Sequence, residues 1–407
     1  MKHFLLLLWI SNNCFAYAQT SRISRPKTPT FVSPTPTKLS DYGYVTPHSG
    51  APVNAAGNTQ GRQDGAERHR AQQQQLQEVY QELQAQKAES QRQQAHQYAV
   101  CCYETAFTQL AAMLEGKEKL SLKRAVFLTE NAFAGNTLPY ADFERPIEQL
   151  LTLCRNQVNN QIHSSENSGG HLTLYQVLCD TTILFDAAGK KVGWSLPMQY
   201  DFDDYMGEED WTKMFVSKLL RTKSGNCHSL PLLYKILADA LQLEAFVSFA
   251  PNHSYIQHRD SKGTWFNLEL TNRRYVSESF LMASGYIKAP ALKNRIYLDT
   301  PSLRRTVAHC LVDLAQGYAW KFGPDAFVIR CCQLALRYYP NHIHALMLEA
   351  DAYTLQFQRE VRQAGSPPPE QLPNHLPLYA LYQRRNTLYN EIERLGYIPM
   401  PQAQYQA

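Results

Sequence analysis

Three side chains in the middle of the chain have the types and order for thiol chemistry. Cys227 closes the run Ser224-Gly225-Asn226-Cys227, His253 follows 26 residues later, and Glu269 lies 16 residues beyond that. A thiol, an imidazole and a carboxylate can serve as nucleophile, general base and orienting group. Such a set attacks carbonyl carbons and holds the acyl group as a thioester. Asn267 is a second candidate for the third role, because an amide can also hold an imidazole in place.

The elements that must bring these groups together are legible. Ser, Gly and Asn precede an apolar run from Leu230 to Leu243 with core-type residues at 230, 233, 237 and 241. That pattern predicts a helix N-terminus at or next to Cys227. Free amides and the helix dipole favour a thiolate there. Pro231 lacks an amide hydrogen, which a helix tolerates only near its start. Ala245 to Ala250 reads as a buried strand, Tyr255 onwards as a second, Arg259 to Gly263 as a turn and Trp265 to Leu270 as the return strand. A hairpin centred on Ser261 sets His253 opposite Glu269 and Tyr255 opposite Asn267, whereas a slip of one residue sets Leu270 opposite His253.

Gly225-x-Cys227 opening a helix, His253 on a strand and Trp265-x-x-x-Glu269-x-Thr271 on the next together resemble the core of the transglutaminase-like superfamily, a relative of papain-type cysteine hydrolases. The resemblance covers about residues 199–271. It implies an α+β fold with a helix packed on an antiparallel sheet, flanked by helical segments. It also implies Cys227 as nucleophile, His253 as its base and Glu269 at the position where the family carries Asp. Glu for Asp, Leu270 for the Pro that usually follows, and Ser254 after the His are departures from the family pattern. The implied activity is hydrolysis of, or acyl transfer from, amide or isopeptide bonds of polypeptides, without a cofactor or metal. The Cys227 amide and an upstream donor, Gln199 or Trp211, would bind the oxyanion. The rival reading is a catalytically inactive member of the fold that serves as an envelope interaction scaffold.

Other constellations are weaker. HExxH, CxxC, phosphate-loop and G-x-S-x-G motifs are absent. The acidic stretch Asp201, Asp203, Asp204, Glu208, Glu209 and Asp210 lacks the alternating ligands and Gly of a calcium loop, and reads as a solvated lip. His342 and His344 flank Ile343 and read as surface residues. Asn252-His253-Ser254 is formally a glycosylation sequon, and a glycan there would block the base. Most of the remaining cysteines, including the pairs Cys101-Cys102 and Cys331-Cys332, read as small buried hydrophobes.

The ends of the chain differ from its centre. Residues 1–18 combine a basic start, an apolar run from Phe4 to Ile10 and Ala16-Tyr17-Ala18, the layout of a signal peptide, and imply an exported protein, periplasmic, envelope-associated or secreted. Residues 19–65, rich in Pro, Thr, Ser and Gly, read as a disordered linker. Residues 66–97 read as a Gln-rich helix, with Leu76, Val79, Tyr80 and Leu83 as a short coiled-coil-like stripe. Residues 98–198 form the helical N-terminal part of the globular region and 199–300 its core. Residues 301–407 form a helical tail in which Phe327 to Pro340 resembles a degenerate tetratricopeptide-like hairpin. A net charge of +4 over 407 residues argues against a nucleic-acid partner, and no later run has 18 apolar residues to span a membrane. The expected partner is a polypeptide substrate or a partner protein.

Overall fold

A computed structural model describes residues 59–160, 167–185, 191–260 and 262–399. The leader expected over 1–18 and the linker as far as residue 58 lie outside the described residues; helix already covers 59–65. The chain divides into two units, residues 1–98 and 99–407. Helix α1 (Thr59–Leu114) carries exposed Gln-rich text over 70–97, with Leu76, Val79, Tyr80 and Leu83 all facing solvent. Among the described residues, no helix is long and apolar enough to cross a membrane.

The second unit mixes helices and small sheets, as an α+β class requires. After α1 come α2 (Leu122–Phe133), α3 (Tyr140–Asn160) and α4 (Asn167–Cys179). Ser121 starts α2 by accepting from the Arg124 amide. The strands β1 (Thr182–Phe185) and β2 (Lys191–Ser195) form an antiparallel hairpin. Next, β3 (Gln199–Tyr200) pairs in parallel with β4 (Ser224–Gly225), on either side of a 3-10 turn (Trp211–Met214) and α5 (Val216–Thr222). The sequence predicts one helix from Trp211 to Leu220. It is broken at Phe215, whose extended backbone (ψ 138°) starts α5 afresh.

Helix α6 (Ser229–Ala240) is buried over its first ten residues and packs on β5 (Ala245–Ala250) and β6 (His253–Arg259). With β7 (Trp265–Glu269) and β8 (Arg274–Val276) these strands form an antiparallel sheet in sequential order. The tail follows two short helices, α7 (Glu278–Ser284) and α8 (Ala289–Lys293). It consists of α9 (Leu303–Phe322), α10 (Ala326–Tyr338), α11 (Ile343–Gln363) and α12 (Leu376–Leu395), of which the last three each pack on the helix before. Helix α9 also packs on α2, so the tail shares the core of this unit.

The β6–β7 register differs from the hairpin centred on Ser261. Ile256 pairs with Leu268 and Gln257 with Asn267, a shift of two residues. The turn explains it. The Asp260 carboxylate accepts from the amides of Lys262 (2.9 Å) and Thr264 (2.8 Å), and Gly263 takes the left-handed φ of 84°. A three-residue loop closed by a left-handed glycine results. Because the shift is even, side chains expected on one face stay on one face.

Candidate active site

Cys227 is held by a cap. Asn226 Oδ1 accepts from the amides of His228 (3.1 Å) and Ser229 (3.0 Å), while the Asn226 amide donates to Ser229 Oγ (3.1 Å). This reciprocal arrangement satisfies donors that a helix start otherwise leaves open. Cys227 therefore lies in the capped turn that leads into α6, two residues before Ser229, and is half-buried. Gly225 makes room for the cap. A Cβ there would meet Ser229 Oγ at 2.6 Å and Leu219 Cδ1 at 2.9 Å. The Asn226 side-chain Nδ2 donates to the Tyr205 carbonyl (2.9 Å), and the Asp201 amide donates to the Gly225 carbonyl (2.7 Å). The acidic loop is thus strapped across the residues just before the thiol.

His253 is the first residue of β6, delivered by a two-residue turn in which Asn252 takes a φ of 53°. Its Nε2 lies 2.7 and 3.0 Å from the two carboxylate oxygens of Glu269, which is buried. The Cys227 side chain is the other group that bears on the ring and favours its charged form. With Nε2 occupied by the carboxylate, Nδ1 is the nitrogen left for sulfur. Burial works against a charge on His253, but Cys227 and Glu269 outweigh it and push the imidazole up to about 10. Thr271 Oγ1 donates to Glu269 Oε2 (3.3 Å) and steadies the carboxylate.

Cys227, His253 and Glu269 therefore meet, with Glu269 diagonal to His253 across the strands instead of directly opposite. Asn267 does not join them. It sits opposite Gln257, accepts from its Nε2 (2.9 Å) and donates to the Val276 carbonyl (3.3 Å). Of the two upstream donors, Gln199 is exposed on β3. The Trp211 indole lies against Gly317 of α9, where a Cβ would come within 3.1 Å of its Nε1.

Several contributors were not singled out from sequence. Ser254 donates to the Cys227 carbonyl (2.5 Å). It is the third residue of the formal sequon, and its buried hydroxyl is committed to this bond. Asp201 is no part of a solvated lip. It pairs with Lys213 (2.9 Å) and Lys218, and although burial opposes its charge the two ammonium groups hold it down at about 2. Asp204 is likewise engaged, accepting from the amides of Glu208, Glu209 and Asp210. His342, expected at the surface, is buried as the N-cap of α11 and stacks on His309, with ring centroids 5.0 Å apart. All eight described cysteines are unpaired; Cys101 is exposed and the six other than Cys101 and Cys227 are buried.

Among the described residues, one group of three has the ligand types for a metal. His228, His309 and Asp313 bring ligand atoms within 4.8 Å of one another. Its donors are spoken for, however. His342 Nδ1 accepts from the Ala345 amide (3.3 Å), so its proton sits on Nε2 and points at His309 Nδ1 (2.8 Å). His309 then carries its own proton on Nε2 and offers no lone pair there.

The chain matches no family model, no curated protein and no solved structure.

Proposed function

We propose that this chain is a thiol-dependent hydrolase or acyltransferase with a transglutaminase-like core, acting on amide or isopeptide bonds of polypeptides. The observation that carries the reading is the bond of His253 Nε2 to the buried Glu269 carboxylate, with Cys227 as the other group that bears on the ring. The leader-like text of residues 1–18 would place the activity outside the cytoplasm.

In the proposed reaction the Cys227 sulfur adds to the carbonyl carbon, forming an S–C bond, while the thiol proton rests on His253. The carbonyl π pair moves to oxygen, where the Cys227 amide at the helix tip would stabilise it. Collapse breaks the C–N bond, and the leaving nitrogen takes the proton from His253. Water or an amine then attacks the thioester, gives a proton to His253 and releases the sulfur. Glu269 keeps the ring oriented and its cation stable throughout.

Timed labelling of the full chain with iodoacetamide, read by peptide mass spectrometry, tests this reading. Cys101 is exposed and provides a reference thiol in the same molecule. Cys227 should react at least about tenfold faster than Cys101 despite its lesser exposure, and His253→Ala should remove the advantage. A Cys227 that reacts no faster than Cys101, with no response to His253→Ala, would hand the protein to the scaffold reading.

A further inference from the structure

Behind the thiol lies a second histidine whose surroundings fix its charge. His228 follows Cys227 directly, and both of its ring nitrogens have partners. Nδ1 is 3.0 Å from the Met214 carbonyl oxygen and Nε2 is 3.0 Å from Asp313 Oδ1. A carbonyl oxygen can only accept, and so can an ionised carboxylate. Each ring nitrogen must therefore carry a proton, which makes His228 an imidazolium.

The neighbours reinforce that assignment. The chain of protons from His342 to His309 leaves a proton on His309 Nε2, which lies 3.4 Å from the same Asp313 oxygen without hydrogen-bonding to it. Burial opposes a charge on Asp313, but the surrounding imidazoles and the hydrogen bond to His228 hold its carboxyl below the ordinary value, which favours its ionised form. Four other groups bear on His228. His309 comes from α9, His344 from α11 and the Glu130 carboxylate from α2, while Cys227 is its chain neighbour. Burial keeps His309 and His344 neutral, so they add no competing cation. Glu130 turns its oxygens to the amides of Val216 (2.7 Å) and Ser217 (2.9 Å). The Asp313 carboxylate is the one neighbour that hydrogen-bonds the His228 ring as an anion. Burial opposes the charge on His228, yet Asp313 outweighs it and raises the imidazole to about 9.

We propose that His228, charged through Asp313, is a positioning residue for Cys227: a second, fixed imidazolium that favours the thiolate independently of His253. The inference rests on Cys227 being the nucleophile. It divides the labour between two histidines. His253 can exchange its proton with the reacting groups, because Glu269 engages only its Nε2. His228 cannot, because both of its protons are held by protein acceptors. It acts as a constant charge and, through Met214 and Asp313, ties the first turn of α6 to the loop before α5 and to α9. The tail helix α9 would then be part of the site's electrostatics, and truncating it would impair the thiol.

The test is the rate of Cys227 alkylation by iodoacetamide against pH, in the full chain. Asp313→Asn keeps the shape of the partner and removes its charge. It should raise the pH midpoint of alkylation and slow the reaction near neutrality by about three- to tenfold, the scale of one charge acting through a partly screened interior. Asp313→Glu should recover part of the loss. If His253→Ala slows alkylation while Asp313→Asn leaves the profile in place, the role of His228 falls and the nucleophile reading stands. If neither variant changes the profile, both fall. A second measurement is nitrogen NMR of histidine-labelled wild-type protein, assigned with His228→Gln. Both His228 ring nitrogens should be protonated near neutral pH; a single ring N–H would overturn the proposal. Uptake of one zinc ion by chelator-treated protein, lost in Asp313→Asn, would also overturn it.

Discussion

The hydroxyl of Ser254 donates to the backbone carbonyl of Cys227, stitching the strand that carries the imidazole to the turn that carries the thiol. Ser254 follows His253 in β6, so this bond fixes the start of that strand against the turn that holds Cys227. Removing the hydroxyl leaves the Cys227 carbonyl without that donor. Ser254→Ala should therefore cost about 1 kcal/mol in a urea melt, the usual value of a buried hydrogen bond. It should also slow Cys227 alkylation, because the thiol loses a restraint on its position. Unchanged stability together with unchanged alkylation would show that the bond has no part in holding the site.

Gly225 is the tightest point of the turn. Its missing Cβ leaves room for the Ser229 hydroxyl and the Leu219 side chain, at 2.6 and 2.9 Å from where that carbon would stand. Gly225→Ala should destabilise the fold by about 1–3 kcal/mol, the range for overpacking a filled site. Ser229→Ala in the same chain should recover part of this loss, because it removes the closer of the two atoms. A double-mutant cycle in denaturant measures the coupling. Strict additivity would mean that the clash is relieved elsewhere.

The thiol end of the site was readable because its signals are local. A cap sequence, an apolar helical run and a proline in the first turn all lie within a few residues of Cys227. His253 was readable as the start of a strand for the same reason. The strand register was not, because a single carboxylate, Asp260, and the left-handed Gly263 set the loop length. The partners of His228 come from far along the chain: Asp313 lies 85 residues away, on a helix whose other buried residues are mostly apolar. His309 and Asp313, one helical turn apart in that apolar stretch, were the available signal. Two polar groups at that spacing on a buried face need a partner. His342 and His344 looked like surface residues because nothing local marks a cap whose ring is covered by another helix. The pairing of Asp201 with Lys213 and Lys218 was likewise invisible in a run of acidic residues.

Stability against pH should carry the mark of the two charged histidines. Both are raised in the folded state, from an ordinary value of 6.5 to about 9 for His228 and about 10 for His253. A group raised on folding contributes fully below its unfolded value and loses that contribution as pH climbs through the folded one. The protein should therefore lose stability between about pH 7 and 10, by an amount on the order of 2 kcal/mol for His228 alone. Asp313→Asn should flatten the part assigned to His228, and Glu269→Gln the part assigned to His253. Urea midpoints measured across that range check it, and a wild-type curve with no decline above neutrality would refute the charge assignments.

The two candidates for the third member of the site make opposite predictions. The Glu269 carboxylate reaches both the imidazole and Thr271, whereas the Asn267 amide is engaged by Gln257 and the Val276 carbonyl. Glu269→Gln should lower the pKa of His253, since the ring keeps an acceptor and loses the charge that favours its cation. Cys227 alkylation near neutral pH should slow accordingly. Glu269→Asp would shorten the reach of the carboxylate and should fall between the wild type and Gln. Asn267→Ala should leave the alkylation profile within about twofold of wild type and act on the fold instead, through the lost bonds across β6, β7 and β8. If Asn267→Ala is the variant that slows the thiol and Glu269→Gln is silent, the carboxylate next to His253 is a structural ion pair and the orienting group must be sought on the amide side of the strand.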